Sequence, residues 1–187
     1  MGETIFPRIG LNPATGVNRA LLQCGSTMYE HDIEKDFVMD RRSNHGDIPI
    51  GRFIFFHTVE IRYGDIDAQR HVNNARYFSF MEQARVRYFQ KLGLWQGRDF
   101  DTIGLILAEQ RCKYFEPIMY DQEIHVGVRI AGLGQKSIDT EYLIQVPDSQ
   151  SVLAFGEAIL VAYSYEDGCS IPVPETWRCM IVEFEGL

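Results

Sequence analysis

Apolar positions alternate with polar ones from Phe53 through Phe55, His57, Val59 and Ile61 to Tyr63. That two-residue period marks a strand with one face on a core. The period then lengthens. Tyr77, Phe78, Met81, Ala84, Tyr88, Phe89 and Leu92 recur at steps of three and four, which predicts a helix over residues 74–92 with a broad apolar stripe. Asn73 or Asn74 caps its first turn. Arg85, Arg87 and Lys91 suit its negative end, and Gly93 supplies a left-handed exit. Four more strands are predicted at 105–115, 123–130, 137–146 and 152–165, joined by turn-rich pieces such as 117–121, Gly132-Leu133-Gly134 and Pro147-Asp148-Ser149. Ile124, Val126, Val128 and Ile130 alternate cleanly, as do Ile138, Thr140, Tyr142, Ile144 and Val146, which points to an antiparallel sheet with one buried face. The expected class is α+β: a curved antiparallel sheet of about five strands around one long central helix.

Residues 1–50 read differently. Glycine, proline, asparagine and charge break every short apolar patch, with a helical turn expected at 18–23 and a linker at 40–49. This gives an N-terminal extension, 1–50, to which the sequence assigns no role, ahead of one domain over 51–187.

At 187 residues the chain can bury a substantial core. Its net charge of -8 argues against broad binding to nucleic acid or an anionic membrane. No apolar run approaches the ~20 residues of a membrane span, and the first 30 residues lack a secretory leader pattern. Cys24, Cys112, Cys169 and Cys179 are scattered and form no CxxC pair, so they are read as reduced thiols of a cytoplasmic protein. The five histidines show no metal-ligand spacing, and no metal or separate cofactor is expected.

The densest chemistry lies where the first strand gives way to the helix, in Arg62-Tyr63-Gly64-Asp65-Ile66-Asp67-Ala68-Gln69-Arg70-His71-Val72-Asn73-Asn74. A helix start offers unpaired N–H groups and about half a positive charge. A carboxylate just upstream, Asp67, could attack a carbonyl polarised there or direct water onto it. As isolated residues, Asp65 and Asp67 also suit plain turn formation, and Asn73 and Asn74 suit capping. His71 is either a hydrogen-bonded loop residue or an acid–base group. Glu82 is either the ion-pair partner of Arg85 or a base acting on water. Arg111, Lys113, Lys136 and Ser137 are either solvated strand residues or a surface for the phosphates of a nucleotide carrier.

The run from Arg62 to Phe89, RYGDIDAQRHVNNARYFSFMEQARVRYF, resembles the opening motif of hotdog-fold acyl-CoA thioesterases of the 4-hydroxybenzoyl-CoA thioesterase type, with its D-x-x-x-H-V-N-N-x-x-Y pattern. Cys112 to Pro117, Tyr120-Asp121, Leu133 to Ser137 and Ile171 to Glu175 agree with later parts of that family's pattern. The resemblance implies a hotdog fold, assembly as a homodimer or homotetramer with sheets joined edge to edge, and active sites at the subunit interface. It places the family's catalytic carboxylate on Asp67 and its oxyanion-binding N–H on or next to Asn74. His71, Asn73 and Tyr77 match the supporting signature, with Asn73 and Tyr77 expected to contact substrate, and Glu82 is the candidate in relatives that use a helix-borne glutamate. The substrate implied is an acyl-CoA, with coenzyme A entering only as part of it. Two rival functions share the fold: an enoyl-thioester hydratase or dehydratase working through Asp67 and His71, and a non-catalytic acyl-CoA-binding module.

Overall fold

The computed structural model describes residues 20–24, 27–31, 48–95, 103–147, 149 and 151–187. The chain divides into two units, Met1–His45 and Gly46–Leu187. In the first, β1 (Ala20–Cys24) pairs antiparallel with β2 (Thr27–His31). This corrects the helical turn expected at 18–23 over residues 20–23, while 18 and 19 lie outside the described residues. An isolated turn of helix gains too few hydrogen bonds to repay its ordering, whereas a strand partner supplies one for each alternate amide. The linker expected at 40–49 lies outside the described residues as far as residue 47.

The second unit holds β3 (Phe55–Glu60), α1 (Asn74–Lys91), β4 (Ile103–Tyr114), β5 (Glu123–Leu133), β6 (Ser137–Gln145), β7 (Val152–Ser164), β8 (Cys169–Ser170) and α2 (Glu175–Glu185). The strands form one antiparallel sheet in the order β3-β5-β6-β7-β4, with short β8 on β7. Tyr77, Phe80, Met81, Ala84, Tyr88 and Phe89 of α1 pack into one core with Val59, Ile124, Val126, Val128, Ile138, Tyr142, Ile144, Ala154, Ala158 and Leu160 from the strands. This is the expected α+β hotdog arrangement, a curled sheet laid around one long helix. Gly93, at φ 74°, provides the left-handed exit from α1.

Three details depart from the sequence reading. Phe53 and Tyr63 do not share the face of Phe55 and Val59. Phe53 joins Leu143, Val152 and Phe155 in a second cluster on the opposite side of the sheet, and Tyr63 is 83% exposed on a short 3-10 turn. A bulge between Ile130 and Gly132 lets β5 run on to Leu133 where a turn was expected, because one extra residue restores the pairing past the glycine. The helix α2 was not anticipated, although Trp177, Ile181 and Phe184 keep helical spacing between Pro174 and Gly186. In its last turn Glu185 Oε1 accepts the Ile130 N–H at 3.0 Å and the hydroxyl of Tyr88. Burial raises the Tyr88 phenol far above its ordinary value, so that hydroxyl stays a donor. No helix among the described residues is long and apolar enough to cross a membrane.

Candidate active site

The segment between β3 and α1 is organised by the buried carboxylate of Asp65, 1% exposed. Its Oδ2 accepts the Arg62 backbone N–H at 3.0 Å and Arg62 Nε at 3.2 Å, Oδ1 accepts the other arm of that guanidinium, and Arg76 Nε lies 3.5 Å away. Burial alone would raise this carboxyl. The hydrogen bonds from Arg62 and the charges of Arg62 and Arg76 outweigh it and hold the group below its ordinary value. Asp65 is therefore structural, as the sequence suggested. A group depressed in the fold contributes stability that is whole above the unfolded pKa of about 3.9 and is lost as pH falls through the folded value. Asp65→Asn is expected to cost about 2 kcal/mol in urea unfolding at pH 7, the worth of hydrogen bonds to a charged group. That gap should close as the medium is acidified below pH ~3.9. A gap that stayed constant down to pH 3 would show that the charge contributes nothing.

From this anchor the chain makes one tight loop. Ile66 bridges Val72, the Asp67 N–H donates to the His71 carbonyl at 3.1 Å, and the Arg70 N–H to the Asp67 carbonyl at 3.0 Å. Arg70 takes φ 70°, a left-handed conformation that a non-glycine residue adopts only when its surroundings impose it. The loop is tied to the sheet by the Val72 N–H, which donates to the buried Ile118 carbonyl at 2.8 Å.

Asp67 is half-buried on this loop, and both of its oxygens have partners. Oδ1 accepts the Gln69 N–H at 2.8 Å, and Oδ2 accepts Asn73 Nδ2 at 3.4 Å. One oxygen makes the turn, and the other accepts from the residue that caps the helix. Asn73 is the N-cap of α1, and its Oδ1 accepts the Ala75 N–H at 3.0 Å. Its side chain needs an acceptor at one end for the cap and a donor at the other for the carboxylate, which fixes the orientation of the amide. Serine would supply no second arm, and aspartate would set a like charge against Asp67.

The helix-start amides can be accounted for one at a time. The Asn73 N–H donates to the Asp65 carbonyl at 2.9 Å, Ala75 to the cap, and Arg76 to the Asn73 carbonyl at 2.8 Å. Asn74, first residue of α1, is the one whose N–H has no partner among the described residues. A donor without a partner among the described residues, at the positive end of an 18-residue helix, can donate to an oxygen that carries negative charge. Tyr114 on β4 was missed by the sequence reading. Its hydroxyl donates to the Asn74 carbonyl at 3.3 Å, and its ring meets Tyr77 edge-on at 4.8 Å. It packs the sheet against the first turn of the helix.

The remaining candidates scatter. His71 is half-buried, with Nδ1 3.4 Å from the Val72 carbonyl. Tyr77, expected at the substrate, is only 3% exposed and sits beneath the helix start, its phenol pushed up to about 12 by burial. Glu82 is exposed and lies 3.9 Å from Arg85, the ion-pair role. Arg111 and Lys113 point to the outer side of the sheet, away from α1, while the intervening Cys112 packs against the core. Arg111 is held in a fork by Glu157 at 2.7 and 2.9 Å. Lys136 Nζ donates to the Ser170 carbonyl at 2.7 Å and to its hydroxyl, so it tethers β8, and Ser137 opens β6 beside it. The structure therefore joins Asp67, His71, Asn73 and Asn74 in one place and leaves Arg111, Lys113, Lys136 and Ser137 out of it. Among the described residues no group of three or more His, Cys, Asp or Glu could hold a metal ion.

Comparison with known proteins gives the same outline. Residues 61–178 match the family model described as the thioesterase-like superfamily. YsmA of Bacillus subtilis (strain 168) is 28% identical over 119 residues, covering 64% of this chain and 79% of that protein. The structure of a thioesterase from Thermus thermophilus, complexed with coenzyme A and Zn, is 36% identical, with a TM-score of 0.62 over 72% of this chain and 97% of that one. A 1,4-dihydroxy-2-naphthoyl-CoA thioesterase from Synechocystis superposes with a TM-score of 0.64 over 70% of this chain and 97% of that one, and at 16% identity it speaks to the fold alone.

Proposed function

The chain belongs to the thioesterase-like superfamily, and we propose that it hydrolyses an acyl-CoA thioester to the free acid and coenzyme A. The observation that carries this reading is the Asn74 N–H, without a partner among the described residues, next in the chain to the Asn73 side chain that binds the Asp67 carboxylate. The acyl carbonyl oxygen docks on that N–H. Charge develops on it as the carbonyl carbon becomes tetrahedral, and a fixed donor at a helix start stabilises that charge without reorganising. Asp67 takes part as an anion, either attacking the carbonyl to give a mixed anhydride that water opens, or taking a proton from the attacking water. In both routes the C–S bond breaks, water supplies the acid's oxygen and the leaving sulfur's proton, and Asp67 is returned ionised.

The similarity to the 4-hydroxybenzoyl-CoA thioesterase type supports placing this site between paired subunits. The 12-residue strand β4 is an edge of the sheet and exposes Ile106 and Leu107, a surface suited to a second copy. Coenzyme A in the Thermus relative's structure supports the same leaving group here. A hydratase reading is less well supported, since the Asp67 carboxylate is held by Asn73 and Gln69 and not by His71. Free-thiol release from a panel of acyl-CoAs, run beside hydration of crotonyl-CoA, tests the proposal. Thiol release from the panel with no 3-hydroxybutyryl-CoA formed from crotonyl-CoA is expected. Hydration without thiol release would overturn it.

A further inference from the structure

A cavity of about 280 Å³ opens beside the second half of α1, between Val86 and Phe89 of the helix, Leu94 and Trp95 after it, Leu105 of β4, and Tyr165 and Trp177. Gly104 makes one wall feasible: a Cβ there would stand 2.4 Å from the ring of Tyr165. The only charged side chains lining it among the described residues are Glu82 and Arg85. They neutralise each other, and the Arg85 guanidinium also donates to the Tyr142 hydroxyl at 3.0 Å. Such a lining suits an uncharged apolar group, and among the described residues it offers no spare counter-charge to an ionic one.

The cavity and the helix start lie along the same helix, Glu82 at the cavity and Asn74 at the first turn. Asn74, Phe78, Glu82, Val86 and Phe89 follow one another at four- and three-residue steps, so they form a single ridge along α1. Eight residues separate Asn74 from Glu82 in sequence, about 12 Å along the axis at 1.5 Å per residue. An extended chain advances roughly 1.2 Å per bond, one third of the extended residue length. About ten carbons therefore span from a carbonyl on the Asn74 N–H to the cavity mouth, while a benzoyl ring stops near Phe78.

We infer that this cavity receives the distal part of a medium- or long-chain aliphatic acyl group, so that the substrates are acyl-CoAs of about ten carbons or more, not short or aryl ones. The inference rests on the hydrolase reading for its reaction and for the carbonyl's place at the Asn74 N–H, but not for the cavity itself. Two arms separate them. In the first, thiol release from hexanoyl-, dodecanoyl- and benzoyl-CoA is expected to show kcat/KM at least tenfold higher for dodecanoyl than for either other. Val86→Trp and, separately, Leu105→Phe narrow the cavity and should collapse the dodecanoyl-to-hexanoyl ratio toward one. A flat chain-length profile, or a preference for benzoyl-CoA, overturns the inference while leaving hydrolysis standing. The second arm needs no turnover. Both tryptophans of the chain, Trp95 and Trp177, line the cavity, so their emission should respond to dodecanoyl-CoA in the Asp67→Asn protein but not to hexanoyl-CoA or coenzyme A. That response without thiol release from any substrate would sink the hydrolase reading and keep the cavity assignment. Absence of the response overturns the assignment even where thiol is released.

Discussion

Asp67→Asn is expected to lower turnover of the best acyl-CoA by at least ~10²–10³, the usual cost of losing a group that acts on the transition state, while the thermal midpoint stays within a few degrees of wild type. The geometry keeps the turn, although the new Nδ2 then faces the Asn73 Nδ2 donor. An asparagine Oδ1 can still accept the Gln69 N–H that Asp67 accepts at 2.8 Å, so the turn survives. What disappears is the anionic oxygen 3.4 Å from Asn73 Nδ2, whether it attacks the carbonyl or takes a proton from water. Steady-state thiol release together with a melting curve decides the matter. Turnover within threefold of wild type, in a protein that melts normally, removes Asp67 from the chemistry and with it the proposed mechanism.

The contrast with Asp65, two residues earlier, shows what the sequence could and could not disclose. Both carboxylates sit in one Asp-x-Asp step, and spacing alone allows either to work. Asp65 is claimed by Arg62 and Arg76, and its backbone carbonyl by the Asn73 N–H. Asp67 is left with neutral partners and faces the helix. The order from β3 through α1 to β7, the helix from Asn74, its asparagine cap and the exit at Gly93 were legible, because each follows from local period or local capping chemistry. The sheet's second cluster around Phe53 was not, since a period of two cannot say which face a strand end turns toward. Nor could spacing show that Lys136 spends its charge on Ser170 and Arg111 on Glu157. Those partners are 34 and 46 residues away in the chain, and only the sheet register brings them close. Tyr114 was invisible for the same reason. Its bond to the Asn74 carbonyl joins residues 40 apart.

The role proposed for Asn74 belongs to its backbone, and proline is the substitution that separates backbone from side chain. Asn74 is the first residue of α1, a position where proline is favoured because its fixed φ suits the helix and its missing N–H bonds nothing inside it. The residue before it, Asn73, already has φ -58° and ψ 135°, the extended conformation that a following proline demands. Asn74→Pro therefore removes the one N–H of the turn that has no partner among the described residues, and it spares the capping bond from Ala75 and the carbonyl that receives Tyr114. Turnover should fall by ~10²–10³, the loss typical of one oxyanion donor, with the melting temperature held. Asn74→Ala keeps the N–H and removes only an exposed side chain, so it should stay within a few-fold of wild type. The pair of variants is read as a ratio. If alanine damages turnover as much as proline does, the asparagine side chain is the working group and the helix-start amide is not. If neither damages it, the carbonyl docks elsewhere, and Asp67 loses the partner that gives its position meaning.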